Sequence, residues 1–223
     1  MNKDAMIQSV NSYLIPFAKN SEDIGRIEKI LDAMRSVDRK FFVADKNKAY
    51  ADAAMPAGEG QTISQPSTVG RELMLAGIRE GNDALEVGTA SGWNACLMGY
   101  LAYPGKVVSI EIFESLSKKA IRRCANLKAS LGSKGKRLNN VIFKTANFFK
   151  MPVKKECDRI IITAGITSEQ ESLIEDAAKG MLKDNGILIC PYTLGPMMIL
   201  KKEDKELSKS FTLETYVFVP LAE

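Results

Sequence analysis

The stretch Leu85-Glu86-Val87-Gly88-Thr89-Ala90-Ser91-Gly92-Trp93-Asn94 decides how this chain is read. A short apolar run of strand type holds one acid, meets two spaced glycines, and leads into the helix-compatible segment Ala95-Cys96-Leu97-Met98-Gly99-Tyr100-Leu101. That is the pattern of a strand, a tight turn and a helix start. Glycine there permits unusual backbone angles and close approach of a ligand, and the first helical turn leaves N–H groups without intrahelical partners. A polar, nucleotide-like ligand fits such a turn. A second acid, Glu111, closes the next strand-like run, Val107-Val108-Ser109-Ile110, 19 residues after Gly92. In a doubly wound sheet an acid at that distance reaches the ribose hydroxyls of a bound nucleotide.

Outward from this unit, strands alternate with helices. Residues 4–18 carry Met6, Val10, Tyr13, Leu14 and Phe17 at helical spacing, with Pro16 ending or bending the helix, and residues 22–35 carry Ile24, Ile27, Leu31 and Met34. Residues 50–66 read as a long, glycine- and proline-punctuated loop with few charges, of the kind that covers a site. A helix over 67–79 follows, capped by Ser67 or Thr68. Then come strand 84–88, helix 92–101, strand 106–111, helix 115–131, strand 141–145 and strand 158–164. Ser168-Glu169-Gln170-Glu171 has the form of a capping box opening a helix to about Lys183. Gly186 turns into strand 187–191, and the runs 197–201 and 211–219 have the character of an edge hairpin. The expected fold is α/β, a doubly wound and mostly parallel sheet with helices on both faces and a C-terminal antiparallel hairpin. Residues 1–66 are expected as a helical extension with the cover loop, and residues 67–223 as the ligand-binding domain.

Composition narrows the chemistry. The 223 residues include no histidine, which excludes an imidazole general base and a Ser-His-Asp triad and removes the commonest metal ligand, so no metal site is expected. Cys96, Cys124, Cys157 and Cys190 form no C-x-x-C pair and read as buried, reduced thiols. Apolar runs fall far short of about 18 residues, and no signal-type segment follows Met1, so a cytoplasmic protein without membrane contact is expected. The net charge of +4 is concentrated in the basic residues between Lys118 and Lys155. Most of these fall on the polar face of a helix whose apolar stripe is Leu116, Ala120, Cys124, Leu127 and Leu131. A solvated face is therefore the simpler reading than a nucleic-acid footprint.

The order Glu86-x-Gly88-x-Ala90-x-Gly92 departs from the G-x-G-x-x-G of dinucleotide folds and resembles the E-x-G-x-G-x-G motif of class I S-adenosylmethionine (AdoMet) methyltransferases, a Rossmann-like fold. A narrower resemblance rests on Val37-Asp38-Arg39…Phe42-Val43, Gly58-Glu59-Gly60-Gln61-Thr62-Ile63-Ser64-Gln65-Pro66, Asp158-Arg159-Ile160-Ile161-Ile162-Thr163-Ala164 and Phe218-Val219-Pro220-Leu221. In order and spacing, from about residue 37 to the end, these blocks resemble the protein-L-isoaspartate (D-aspartate) O-methyltransferase family. The resemblance implies methyl transfer from AdoMet, leaving S-adenosyl-L-homocysteine, to isoaspartyl carboxylates in damaged peptides and proteins. It implies that Ser64 lies beside the methyl group and the acceptor carboxylate, and that the loop holding Thr62 and Ile63 covers the cofactor. Glu86, Gly88, Thr89, Ala90 and Gly92 would shape the methionine pocket, Glu111 with Ile112 would hold the ribose, and Asn147 with Phe148 would meet the adenine.

Several positions depart from the family pattern. Ala90 stands at the middle glycine, and Ala146-Asn147-Phe148 stands where the family has Gly-Asp-Gly. Gly165-Ile166-Thr167 lacks the family's Ala-Pro ending, and little chain follows Pro220-Leu221. Weakened cofactor binding is the expectation, since an asparagine carbonyl accepts a hydrogen bond without charge assistance. Two alternatives stay open at this level: the same fold acting on another acceptor such as a tRNA base, or a weakly active AdoMet-binding module.

Overall fold

The computed structural model describes residues 1–151 and 156–223. The chain opens with α1 (Lys3–Leu14) and α2 (Ser21–Ser36), continues through a short antiparallel pair, β1 (Met55–Gly58) and β2 (Gln61–Ile63), and enters α3 (Pro66–Ala76). There follow β3 (Ala84–Val87), α4 (Trp93–Ala102), β4 (Val107–Glu111), α5 (Glu114–Leu131), β5 (Val141–Thr145), β6 (Cys157–Ile162), α6 (Glu171–Met181) and β7 (Leu182–Pro191). The last elements are β8 (Leu194–Gly195), β9 (Met197–Glu203), β10 (Glu206–Phe211) and β11 (Tyr216–Val217). Seven strands form one sheet in the order β10-β9-β7-β6-β3-β4-β5, with β7, β6, β3, β4 and β5 parallel and β9 and β10 antiparallel. This is the doubly wound, mostly parallel sheet expected from the alternation of strands and helices.

The period of two along each strand divides the core. Leu85, Val87, Ile110, Ile160, Ile162, Leu188 and Cys190 face one side, where Ile174 and Ala178 of α6 cover them. Ala84, Val107, Ile161 and Ile189 face the other, beneath α3 and α4. On that second side Met6, Val10 and Leu14 of α1 and Ile27, Ile30 and Met34 of α2 join Val69 and Leu73 of α3 and Trp93 and Leu97 of α4 in one cluster. The N-terminal helices thus share the core of the sheet domain. Ile24, expected on the apolar stripe of α2, is instead 46% exposed.

Four local expectations are corrected. The partner of β9 is β10, not a strand over 211–219; the two join through Asp204 and Lys205, both at positive φ, which is the turn whose twist matches an antiparallel pair. β10 carries exposed Glu206, Ser208, Lys209 and Ser210, a charged edge that blunts further pairing and hides the strand from any search for apolar alternation. Ser67 is not a cap: its N–H and hydroxyl both donate to Asp52, and Gln65 precedes the helix with Pro66 in its first turn. The capping box belongs to Thr167 with Gln170, one residue earlier than Ser168, because Gln170 reaches back three residues to the Thr167 N–H. The cover loop contains the β1–β2 hairpin, whose strands are too short to register as alternation.

The four cysteines are buried thiols. Lys118, Arg122, Lys134, Lys136 and Arg137 are exposed, as a solvated face requires, while Lys154 and Lys155 lie outside the described residues. No helix among the described residues is long and apolar enough to cross a membrane.

Lys205 sits at φ +69, a conformation that costs a side-chain-bearing residue about 1 kcal/mol relative to glycine. Lys205→Gly is therefore expected to raise the urea midpoint by the equivalent of about 0.5–1 kcal/mol without altering the site. A lowered midpoint would show that the turn is not held in the left-handed region.

Candidate active site

The site grows from the C-terminal ends of β3, β4 and β6, where parallel strands leave a crevice. Register sets its first polar group. Glu86 faces the same side as Ala84 and lies directly beside Ser109 on β4, whose hydroxyl donates to Glu86 Oε2 and is itself hydrogen-bonded to the Thr89 hydroxyl. Glu86 has no exposed surface, and burial pushes its carboxyl up to about 8 against the opposing pull of Ser109 and Asn94.

The turn after β3 is fixed by three residues at positive φ: Gly88 (+95), Ala90 (+44) and Gly92 (+88). A Cβ at Gly88 would stand 2.6 Å from Thr163 Oγ1, which donates to the Gly88 carbonyl at 2.6 Å. Only glycine fits between β6 and whatever lies above the turn. Ala90 is held by Glu111, whose Oε2 accepts the Ala90 N–H at 2.7 Å while Oε1 accepts that of Phe113 at 3.1 Å. Each Glu111 oxygen keeps a second lone pair toward the cleft.

Two cavities meet across this turn and share Thr62, Gly88, Ala90 and Thr163. The first is lined by Glu111, Ile112, Phe113, Ala146, Phe148, Ala164 and the C-terminal Val219, Pro220 and Leu221. The last three are carried in by backbone bonds from Gly165 to Val219 and from Leu221 to Gly165. The second holds Ile63, Ser64, Glu72, Glu86, Thr89, Trp93 and Asn94. An elongated ligand laid over Gly88 would meet a carboxylate and an aromatic wall at one end and a second carboxylate with Ser64 at the other.

Of the residues singled out from sequence, Thr62, Ile63, Ser64, Glu86, Gly88, Thr89, Ala90, Glu111, Ile112 and Phe148 line this pair of cavities. Two are placed elsewhere. Gly92 does not line the cleft; a Cβ there would come 2.8 Å from Cβ of Ala120, so its smallness lets α5 approach the start of α4. Asn147 turns its carboxamide oxygen to the Phe149 N–H at 2.9 Å, capping the short helix that carries Phe148, and leaves Ala146 and Phe148 to form the wall. Sequence reading assigned no part to Thr163, Asn94, Glu72 or Arg39. Thr163 stood inside a quoted block, but a lone threonine after a strand carries no signal of its own.

Arg39 is the least foreseeable. Its guanidinium has no exposed surface, donates to the carbonyls of Ala49 (2.9 Å), Ala51 (3.3 Å), Ala53 (3.0 Å) and Ser64 (3.1 Å), and lies 5.3 Å over the Trp93 ring. Burial lowers its pKa to about 10, opposed by Asp52, so it remains a cation at neutral pH. The hairpin tip is tied down separately, where the Ser115 hydroxyl donates to Glu59 at 2.6 Å.

The family model described as protein-L-isoaspartate(D-aspartate) O-methyltransferase matches residues 10–223. A protein-L-isoaspartate O-methyltransferase of Shewanella woodyi is 34% identical over 209 residues, 92% of each chain. One of Ignicoccus hospitalis is 35% identical over 205 residues, 88% of this chain and 90% of its own. The fold is that of a crystal structure from Plasmodium falciparum, a protein-L-isoaspartate O-methyltransferase in complex with S-adenosyl-L-homocysteine. That structure has a TM-score of 0.80 and 18% identity over 100% of this chain and 99% of its own.

Arg39→Lys keeps the charge but loses the planar fork, leaving buried and half-buried carbonyls without donors. A loss of about 2–4 kcal/mol in urea unfolding is expected, with faster proteolysis between residues 49 and 64. Wild-type stability and protease resistance in this variant would show that the fork does not hold the loop.

Proposed function

Because the chain belongs to the protein-L-isoaspartate(D-aspartate) O-methyltransferase family, we propose that its two joined cavities hold AdoMet across the Gly88 turn and that Ser64 receives the acceptor carboxylate. The enzyme methylates the free carboxylate of L-isoaspartyl and D-aspartyl residues in damaged proteins, and family membership favours this acceptor over a tRNA base or a non-catalytic role. The residues present suit the cofactor on structural grounds: a cradle at Gly88 that a Cβ would fill, an acid at each end, and buried polar atoms at the Glu86 end that no protein group satisfies.

When bound, AdoMet supplies an electrophilic methyl group on a sulfonium. Glu111 accepts the ribose hydroxyls through its free lone pairs, with Ile112 beside it and Phe148 against the base. Gly88 lets the ligand lie on the backbone, and Glu86 faces the methionine end. An isoaspartyl carboxylate is ionised at neutral pH and is already a nucleophile, so the chain has to align and desolvate it rather than deprotonate it. Ser64 donates a hydrogen bond to one carboxylate oxygen and leaves the other directed at the methyl group. Its backbone is fixed for this by Arg39, and the β1–β2 hairpin with Thr62 and Ile63 excludes water. A serine nucleophile is not required, which agrees with a chain that has no histidine. Isoaspartyl-containing proteins are the partners this reading implies. A cytoplasmic location belongs to the same proposal, supported by four buried thiols.

The single observation that carries the assignment of roles is the meeting of the two cavities at Gly88, with Ser64 lining the second of them two residues after the shared Thr62. The test is transfer of labelled methyl from AdoMet to an isoaspartyl peptide, with the normal aspartyl isomer as control. Only the isoaspartyl form should be labelled. Ser64→Ala should lower kcat about 10-fold to 100-fold with the Kd for S-adenosyl-L-homocysteine unchanged. Unaltered turnover in that variant would remove Ser64 from the mechanism.

A further inference from the structure

Glu72 on α3 is a glutamate where an amphipathic helix would be expected to bury an apolar side chain. It has no exposed surface, and neither carboxyl oxygen has a hydrogen-bond partner among the described residues. It is not isolated from the site, since it lines the second cavity with Glu86 and Asn94. There Glu86 Oε1 and Asn94 Oδ1 are likewise buried without a donor, while Glu86 Oε2 is taken by Ser109. Among the described residues no lysine or arginine lines this cavity. Three residues from three separate elements, α3, β3 and α4, therefore bring buried, unsatisfied acceptors to the wall of one small cavity.

Buried acceptors of this kind are costly unless a donor arrives, and two carboxyl groups together favour a cation. A primary ammonium carries three N–H donors and no acceptor. Its three donors match the three acceptor groups on Glu72, Glu86 and Asn94. The amino-acid end of AdoMet carries such an ammonium, and the cavity shares Thr62, Gly88, Ala90 and Thr163 with the neighbouring cleft.

We propose that Glu72 binds the α-ammonium of the cofactor's methionine end, completing with Glu86 Oε1 and Asn94 Oδ1 a three-acceptor cage. The inference rests on the AdoMet reading of the cleft. Burial and the neighbouring Glu86 hold the Glu72 carboxyl well above the usual carboxylate range, and burial holds Glu86 at about 8, so both carboxyls keep their protons at neutral pH and binding of the ammonium releases proton to solvent. Glu72 thereby adds to affinity for the amino-acid end alone and contributes nothing at the adenosine end.

The test is calorimetric titration of wild type, Glu72→Gln and Glu72→Met with two ligands. S-adenosyl-L-homocysteine carries the ammonium, whereas 5′-methylthioadenosine has the same nucleoside and thioether without the amino acid. Affinity for S-adenosyl-L-homocysteine should fall about 10-fold or more in Glu72→Gln and further in Glu72→Met, with 5′-methylthioadenosine unchanged in both. Thermal unfolding without ligand should be unaltered or raised, because both variants remove a buried ionisable group. Equal weakening of the two ligands, unchanged affinity for S-adenosyl-L-homocysteine, or a fall in unliganded stability with both affinities intact would assign Glu72 a structural role and overturn the proposal. If wild type binds neither ligand, the cofactor reading itself fails and the cage fails with it.

Discussion

A guanidinium with no access to water holds the active-site end of this fold together. Arg39 arrives from the connection after α2 and binds four carbonyls spread between Ala49 and Ser64, a segment whose only regular structure is the short β1–β2 hairpin. Backbone carbonyls turned inward from a loop need donors, and a planar group with five N–H bonds can serve several from one point. The desolvation cost of the cation is offset by those bonds, by the face of Trp93 and by Asp52. Asp52 in turn receives the N–H and hydroxyl of Ser67 at the start of α3, and Trp93 is the first residue of α4. One buried charge network thus fixes the cover loop to both helices that flank the cofactor end of the sheet.

The sheet places the acids by parity. In β3 the alternation that buries Leu85 and Val87 beneath α6 sends Glu86 to the opposite face, under α3 and α4. In β4 the same alternation puts Ser109 and Glu111 on that face, so a serine neighbours Glu86 and the strand ends on an acid at the rim. A one-residue slip of either strand would move these polar groups into the apolar layer. The register that makes the core therefore also makes the site.

Much of this was legible in the sequence because the responsible signals are local. Glycine spacing, an acid after a strand, and the Gln61-Thr62-Ile63-Ser64 block each announce a backbone conformation or a placement within a few residues, and the cavities assemble around them. Signals that depend on partners far along the chain were not legible. Arg39 stands in a quoted block, but its role is invisible until its acceptors 10 to 25 residues away are known. Ser67 reads as a cap until Asp52 is seen to take its hydrogen bonds, and the cap that Asn147 gives the Phe149 N–H shows only in three dimensions. β10 was missed for another reason: its polar, exposed residues are those an edge strand uses to stay unpaired. Glu72 shows the same limit inside a helix. Periodicity says that its position is buried, and only three-dimensional neighbours show that a carboxylate there faces other unsatisfied acceptors.

Ala90 links these levels. An alanine at φ +44 costs about 1 kcal/mol where glycine would cost little, yet the turn adopts it because Glu111 accepts its N–H at 2.7 Å. A hydrogen bond to an ionised carboxylate contributes about 1.5–3 kcal/mol, enough to offset the strain. In the proposed role the same carboxylate would offer its remaining lone pairs to the ribose. Glu111 would then be at once the support of the turn and a ligand of the cofactor, and the two duties would reinforce each other. With the turn in place the Glu111 oxygens are already oriented, and a ribose binding them would restrain the carboxylate that holds Ala90. The alanine that seems a defect against the glycine pattern makes the turn's geometry depend on the acid proposed to read the cofactor.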